Sequence, residues 1–183
     1  MGLGERRGGG AGVVSPRPVR NNSRMTRPMF HLLCGKAGAG KSTRTATLAR
    51  TGAVPIVQDD WMAALFKDEL VEMADYLHLM PKLRAAMDPH LVTLMRAGVS
   101  IVFDWPANTV QTRAWLADVA RRGNAEARLY WLDTPDAVCL ARVRRRDGSG
   151  DNPFTMTDEQ FAELASYFEP PTTAEGLTIE RIG

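Results

Sequence analysis

One segment, Gly35 to Ser42, restricts the possible folds of this chain most strongly; it reads GKAGAGKS. It follows an apolar run at 30–34 and precedes a helical pattern that begins at Lys41, so it lies at a predicted junction between a strand and a helix. Glycines let such a loop curl until its backbone N–H groups point inward, where they can bind an anion. The helix that follows offers its positive N-terminal end to the same anion. The segment therefore predicts a loop that holds the phosphates of a nucleotide.

The spacing G-x-x-x-x-G-K-S matches the complete P-loop motif, and the motif assigns a role to several residues. Lys41 should reach the β- and γ-phosphates of ATP, and the Ser42 hydroxyl should bind Mg²⁺, so ATP and Mg²⁺ are the expected cofactors. The alternative is a glycine-rich turn that binds nothing. The residues expected to contact the nucleotide are Gly35, Ala37, Gly38, Ala39, Gly40, Lys41, Ser42 and Thr43.

Strand and helix patterns alternate along the rest of the chain. Apolar runs predict strands at 30–34, 53–57, 99–103 and 127–132, with a further edge strand at 177–182. Helices are predicted at 41–50, at 61–97 with a division at Pro81, at 109–122, at 135–146 and from a capping box at Thr157 onward. This order predicts an α/β protein with a P-loop NTPase fold of the nucleoside/nucleotide-kinase-like type, a three-layer α/β/α sandwich around a mostly parallel sheet.

Residues 1–27 differ in composition from the rest of the chain. They hold six arginines against one glutamate, and they are rich in glycine. Such a segment cannot form a core, so we expect either a disordered tail or a mis-assigned start, with translation beginning at Met25 or Met29; a transit peptide is the alternative. The predicted kinase-like domain spans 28–183, with a lid around 142–156. The net charge of the whole chain is only +2, which is less than the net charge of residues 1–27. The remaining domain is therefore slightly acidic.

Cysteine usage and hydropathy bear on the cellular compartment. Cys34 and Cys139 are far apart in sequence, so they indicate neither a metal-binding pair nor a disulfide framework. No apolar run approaches the ~20 residues that span a bilayer. These features predict a soluble, cytoplasmic protein without a membrane partner.

Motifs of other nucleotide-binding classes are missing from the sequence. There is no Asn-Lys-x-Asp guanine motif and no Ser-Gly-Gly signature of a transporter ATPase. Too few residues remain for the helical lid domain of a ring ATPase. What remains is a compact kinase that moves the γ-phosphoryl group of Mg·ATP to a hydroxyl group.

Carboxylates follow two predicted strands, where ligands of a doubly wound sheet bind. Asp59 and Asp60 come directly after the second strand, and one of them should accept a hydrogen bond from the acceptor hydroxyl; the alternative is a cap on the next helix. Asp104 ends the third strand and resembles a Walker-B carboxylate, which holds Mg²⁺; the alternative is an aspartate in a turn.

A run of arginines lies near the end of the helix predicted at 135–146. Arg142 and Arg146 are four residues apart and share a helix face, so both could stabilise the charge of the transferring phosphoryl group. The glycine-bearing loop from Asp147 to Gly150 could let this lid move. A solvated charged face is an equally good explanation of the run.

In their order and spacing these residues resemble the P-loop kinase branch that includes chloramphenicol phosphotransferase, the zeta toxins and the kinase domain of phage polynucleotide kinase. They are more closely similar to bacterial proteins of about this size that are named AAA family ATPases. The resembling segments are 31–42, 58–62, 101–105 with Arg113, Arg142 with Arg146, and 168–171.

The resemblance implies that Asp59 orients the acceptor hydroxyl, that Asp104 lies near the metal and that Arg113 lies near the phosphates or the substrate. It also places Arg142 and Arg146 in the lid. The residues expected to act in catalysis are therefore Lys41, Asp59, Arg142 and Arg146, with Ser42 and Asp104 as ligands of the metal.

The acceptor is the least constrained part of this interpretation. Residues 61–95 are rich in Met and aromatic side chains, which could line an adaptable pocket or form helix core. Trp61 and Trp105 adjoin the aspartates and could stack on an acceptor or simply pack. The favoured partner of ATP is a small-molecule hydroxyl acceptor. A polynucleotide or nucleoside is possible but less favoured, because the domain is acidic, and an ATP-binding regulatory module is the third alternative.

Overall fold

The computed structural model describes residues 27–70, 73–148 and 155–183. The predicted tail lies outside the described residues except for Arg27, and so does the part of the predicted lid between residues 149 and 154. The side chains of Met73, Ala74 and Leu77 also lie outside them.

Five parallel strands form one sheet in the order β2-β3-β1-β4-β5. The crossovers between parallel neighbours run through helices on both faces, so the predicted α/β fold class is confirmed. The strands are β1 Met29–Cys34, β2 Val54–Val57, β3 Ile101–Pro106, β4 Glu126–Leu132 and β5 Thr178–Ile182.

Two hydrophobic cores lie on opposite faces of the sheet, because successive strand residues point to opposite sides. On one face, Leu32 and Phe103 pack among residues of α3 and α4. On the other, Leu33 and Val102 pack among residues of α1, α5 and α6. The described helices are α1 Lys41–Ala49, α2 Gln58–Phe66, α3 Met73–Arg96, α4 Val110–Arg122, α5 Asp136–Gly148 and α6 Asp158–Ser166, with a short 3₁₀ turn at Thr173–Glu175.

The predicted division of the second helical region at Pro81 is wrong. Helix α3 continues through Pro81 and Pro89, and the break lies instead between α2 and α3. A proline removes one hydrogen-bond donor from a helix, but most helical stability in proteins comes from packing of the apolar face. Here that face is buried from Leu79 to Met95, at Leu79, Leu83, Met87, Leu91 and Met95.

Several other predictions stand close to the structure. Pro55 lies in β2, which is an edge strand and therefore tolerates a residue without an N–H group. The capping box at Thr157 is present, with reciprocal hydrogen bonds to Gln160. Asp104 lies inside β3 rather than at its end. None of the helices in the described ranges combines the length and the apolar character that crossing a membrane requires.

Candidate active site

The segment from Gly35 to Ser42 connects β1 to α1, as the motif requires. Gly38 and Gly40 have φ angles of 75° and 107°, in the left-handed region that favours glycine. A Cβ atom on Gly38 would lie only 2.3 Å from the carbonyl oxygen of Cys139 in α5. Glycine is needed there both for the turn of the loop and for the close approach of α5.

This close approach gives a stability prediction. Gly38→Ala should lower the free energy of unfolding by about 2–4 kcal/mol, because strain at positive φ adds to a collision with backbone. Gly52→Ala is the matched control: its φ is 98°, but nothing lies within 4 Å of the added Cβ, so it should cost roughly 1–2 kcal/mol. Urea unfolding of the two variants measures the difference. Equal losses of unfolding free energy in the two variants would show that α5 can move away from the added methyl group without a cost in stability.

The ammonium group of Lys41 lies inside the curve of the loop. It donates to the carbonyl oxygens of Gly35 at 2.8 Å and Lys36 at 2.9 Å. Burial lowers the pKa of Lys41, while the carboxylates of Asp104 and Asp59 act in the opposite direction. A buried cation in this position gains from an added anion, since opposite charge favours the charged form of the lysine.

A residue to which the sequence assigned no role, Asn108, holds the first residue of the loop from both sides. Its Oδ1 accepts from the Gly35 N–H at 2.9 Å, and its Nδ2 donates to the Gly35 carbonyl oxygen at 3.1 Å. Asn108 follows the carboxyl end of β3, which is paired with β1. The rule that ligands gather at carboxyl ends of strands is the signal that could have identified it.

The structure brings the two predicted carboxylates to the same cavity. Asp104 is 8% exposed, and its Oδ2 accepts a hydrogen bond from the Thr45 hydroxyl at 2.9 Å. It pairs in the sheet with Val57, two residues before Asp59. Asp59 is open to the cavity, yet its surroundings still raise the pKa of its carboxyl, mainly by burial and then by the charge of Asp104.

The cap alternative for the aspartate pair is wrong. The cap residue of α2 is Val57, with no side-chain cap, and Asp59 and Asp60 lie in the first helical turn. Both aspartates are exposed, but Asp59 lines the cavity and Asp60 does not. Acidic residues in a first turn interact favourably with the helix dipole, so the position itself is stable.

Ser42 and Asp104 have the chemistry that Mg²⁺ prefers. Both present oxygen atoms to the cavity, and only one oxygen of Asp104 is bonded to Thr45. Within the described ranges there is no group of three or more His, Cys, Asp or Glu residues that could hold a metal. This still suits Mg²⁺, which commonly uses one or two carboxylates together with waters and substrate phosphates.

The predicted lid arginines both line the cavity. Arg142 donates through Nη1 to the Gly38 carbonyl oxygen at 3.2 Å. Arg146 pairs with Asp147 at 3.2 Å, and its charge also acts on Asp59. Arg144, between them, instead forms an exposed ion pair with Asp158 of α6. The run therefore divides into a cavity face and a solvated face.

Arg113 lies elsewhere than the resemblance implied. It is fully buried, does not line the cavity, and donates from all three nitrogens of its guanidinium group. Nε and Nη2 bind the carboxylate of Glu175, and Nη1 binds the carbonyl oxygens of Ala107 and Glu169. Its position indicates a structural role that joins the C-terminal segment to the loop before α4.

The site is a cavity of about 1080 Å³ lined by the loop, α1, the β2–α2 junction, the segment after β3, α5 and α6. Of the Met- and aromatic-rich region, Met62, Met87 and Met95 all belong to the buried core, and Met62 and Tyr76 also line this cavity. Trp105 stacks on Phe103 at 5.1 Å between ring centroids, so packing accounts for it.

A family model described as an AAA domain matches residues 30–171. The chain belongs to this AAA-domain family. The match covers most of the described residues and includes the loop, both aspartates and the lid arginines. Among curated proteins, no sequence matches this AAA-domain protein at a significant level.

Solved structures with the same fold include two kinases and a protein in complex with ADP-AlF3. A provisionally assigned kinase from Chloroflexus aurantiacus has a TM-score of 0.69 at 15% identity, covering 86% of this chain and 88% of that one. Kti12 from Chaetomium thermophilum, in complex with ADP-AlF3, has a TM-score of 0.63 at 14% identity, covering 84% of this chain and 89% of that one. The APS kinase of Mycobacterium tuberculosis, in complex with AMPPNP and APS, has a TM-score of 0.53 at 19% identity, covering 79% of this chain and 84% of that one.

These likenesses show the fold of the AAA-domain protein. Its parallel sheet, its loop between β1 and α1 and its family together support a P-loop kinase or ATPase that uses a nucleotide. The resemblance recognised in the sequence is confirmed at this level.

Proposed function

We propose that this protein is a phosphotransferase that moves the γ-phosphoryl group of Mg·ATP to a hydroxyl group of a small molecule. The observation that carries the proposal is that Asp59 opens into the same cavity as the phosphate loop and Lys41. A hydrolase needs only to position water, whereas an alcohol acceptor needs both room and a carboxylate that faces its hydroxyl. The cavity, at about 1080 Å³, offers both.

The phosphate-binding loop and several side chains that line the cavity have roles in this reaction. The loop amides and Lys41 bind the β- and γ-phosphates, and Ser42 and Asp104 would hold Mg²⁺, which supplies positive charge to the phosphate oxygens when bound. Arg142 and Arg146 stabilise negative charge on the transferring group. We propose that the enzyme acts in the cytoplasm, where ATP is plentiful and thiols such as the buried Cys34 and Cys139 stay reduced.

The chemical step breaks one bond and forms one. The acceptor oxygen attacks the γ-phosphorus in line, the bond between that phosphorus and the β,γ-bridging oxygen breaks, and ADP leaves. The acceptor proton passes to the carboxylate of Asp59. Burial and the charge of Asp104 raise the pKa of Asp59, which makes it a better proton acceptor than a free aspartate.

Transfer of label tests the proposal directly. The protein is mixed with Mg·[γ-³²P]ATP and a panel of amino alcohols, diols and nucleosides. Label should appear in an acceptor, and the rate of its transfer should fall by roughly 10³-fold in Lys41→Ala and by roughly 10²-fold in Asp59→Asn. ATP binding without transfer to any acceptor would instead favour an ATP-binding module.

Asp59→Asn should change activity and stability in opposite directions. We expect kcat to fall by roughly 10²-fold, the usual effect of losing a general base. Because the folded state raises the pKa of Asp59, ionisation of this carboxyl lowers stability as the pH rises through that pKa. Removing the charge should therefore increase the urea midpoint at pH 7.5. Asp60→Asn, which alters the exposed neighbour, should leave kcat within about threefold. A lower urea midpoint in Asp59→Asn would contradict this account.

A further inference from the structure

We infer that the acceptor is an uncharged or cationic alcohol with an apolar body, bound against Gln58 and Tyr76, rather than a phosphate-bearing molecule. The inference rests on the proposed function, because it concerns the acceptor side of the same cavity. Four features carry it: the distribution of charge in the lining, the unpaired amide oxygen of Gln58, the hydroxyl of Tyr76 and an apolar wall.

The charged residues divide the cavity lining into two parts. Among the residues that the structure describes, all cations of the lining come from the loop, α1 and α5. The described residues contributed by β2, α2, the segment after α2 and the start of α3 include one acid and no lysine or arginine. Proteins bind phosphate groups with cations and charge-assisted hydrogen bonds, which this part lacks. Its described residues are Val57, Gln58, Asp59, Met62, Leu70 and Tyr76.

Gln58 supplies an unsatisfied hydrogen-bond acceptor at this end of the cavity. The residue is 3% exposed, and its Nε2 donates to the hydroxyl oxygen of Tyr76. Its Oε1 is buried and has no partner. Buried side-chain oxygens are nearly always paired in native proteins, so an unpaired one at a ligand cavity indicates a position that a ligand donor completes. The acceptor should therefore carry an N–H or O–H group besides the reacting hydroxyl.

Tyr76 supplies the complementary donor. Because its oxygen accepts the bond from Gln58, its own O–H is directed elsewhere, and the residue lines the cavity. Burial raises the pKa of Tyr76, which keeps this proton in place at neutral pH. The charge of Asp59 also acts on Tyr76, and both residues line the cavity. An acceptor hydroxyl between them could receive a hydrogen bond from Tyr76 while it donates to Asp59.

The remaining wall of this end is apolar. Met62 is 1% exposed and Leu70 is partly buried, and both line the cavity, as Tyr76 does. A flexible thioether can adapt to the body of an apolar ligand. The ionised carboxylate of Asp59 attracts an ammonium group and repels a phosphate or carboxylate. These features together select a neutral or cationic alcohol.

Matched acceptors test the inference. The pairs are 1-phenyl-1,2-ethanediol with mandelate, and thymidine with thymidine 3′-monophosphate, since each pair keeps one hydroxyl and replaces the other with an anionic group. The cationic probe is 2-amino-1-phenylethanol. Acceptor-dependent transfer from Mg·[γ-³²P]ATP is measured for each probe, together with ATP hydrolysis in the absence of acceptor. In every pair that accepts label, we expect kcat/KM for the neutral member to be at least tenfold higher than for the anionic member.

Variants connect this preference to the two residues. Tyr76→Phe and Gln58→Leu should each raise the KM of the preferred acceptor about tenfold. Tyr130→Phe is the matched control. Its hydroxyl forms a buried hydrogen bond with His31, and Tyr130 belongs to the core on the opposite face of the sheet from the one that Tyr76 packs against. Far-UV circular dichroism checks that all three variants fold.

The outcomes separate the inference from the proposed function. Preference for the phosphorylated or carboxylated member of a pair would overturn the inference and leave the phosphotransferase proposal standing. Unchanged KM values in both Tyr76→Phe and Gln58→Leu would do the same. Hydrolysis of ATP with no label in any probe would overturn the proposed function, and the inference would fall with it.

Discussion

Lys41→Ala should lower kcat for phosphoryl transfer by roughly 10³-fold, about the effect of removing one strong charge-stabilising group from an active site. The ammonium of Lys41 lies inside the loop, bonded to the carbonyl oxygens of Gly35 and Lys36. When phosphate occupies the loop, the same group can follow the γ-phosphoryl as negative charge moves during transfer. Its loss removes this cation and two bonds that shape the loop.

Lys36→Ala is the matched control for the loss of a lysine from the same loop. The Lys36 ammonium pairs with Asp136 of α5, away from the carbonyl oxygens that hold Lys41. Its backbone carbonyl, which Lys41 uses, is unchanged by the substitution. We expect kcat to change less than about threefold and ATP affinity to change little. Calorimetric titration with ATP and Mg²⁺ reports binding separately from turnover. Equal losses of binding in both variants would contradict the distinct role of Lys41.

Arg113→Met should lower the free energy of unfolding by about 3–5 kcal/mol, which is typical when one partner of a buried ion pair is removed. The guanidinium group is fully buried and binds Glu175 together with the carbonyl oxygens of Ala107 and Glu169. Methionine fills much of the volume but leaves both carbonyls without a donor, while the carboxylate of Glu175 keeps only the bond from the Thr172 N–H among the described residues. Unfilled acceptors in a buried position account for most of the expected loss.

Two comparisons make this prediction specific. Arg121→Met removes an arginine from the same helix, where an exposed pair with Asp118 should contribute little, so urea unfolding should detect no change. Adding Glu175→Leu to Arg113→Met should recover part of the stability, since no charge is then left buried. A loss below about 1 kcal/mol in Arg113→Met would show that water replaces the guanidinium group.

The hydrogen bonds of Arg113 should also affect the candidate active site. Ala107, whose carbonyl oxygen Arg113 binds, precedes Asn108, which holds Gly35 on both sides. Loosening this segment should therefore weaken ATP binding in Arg113→Met even at temperatures where the variant remains folded. A structural residue outside the cavity thus supports the position of the phosphate loop.

The sequence by itself determined the parts of this protein that depend on local chemistry. The loop from Gly35 to Ser42, its place between a strand and a helix, and the parallel α/β sheet follow from glycine conformation and from the period of apolar residues. Asp59 and Asp104 could be located because carboxyl ends of neighbouring parallel strands meet at one edge.

Only the tertiary structure decided which distant side chains meet. Asn108 and Gly35 are 73 residues apart in sequence, and Arg113 and Glu175 are 62 apart, so no local pattern could pair them. Helix α3 passes through Pro81 because its buried face outweighs one lost hydrogen bond, a balance that propensity alone cannot predict. Local rules fix where the backbone turns, whereas packing between elements fixes which polar groups find partners, and that second step brought Gln58 and Tyr76 together in the cavity lining.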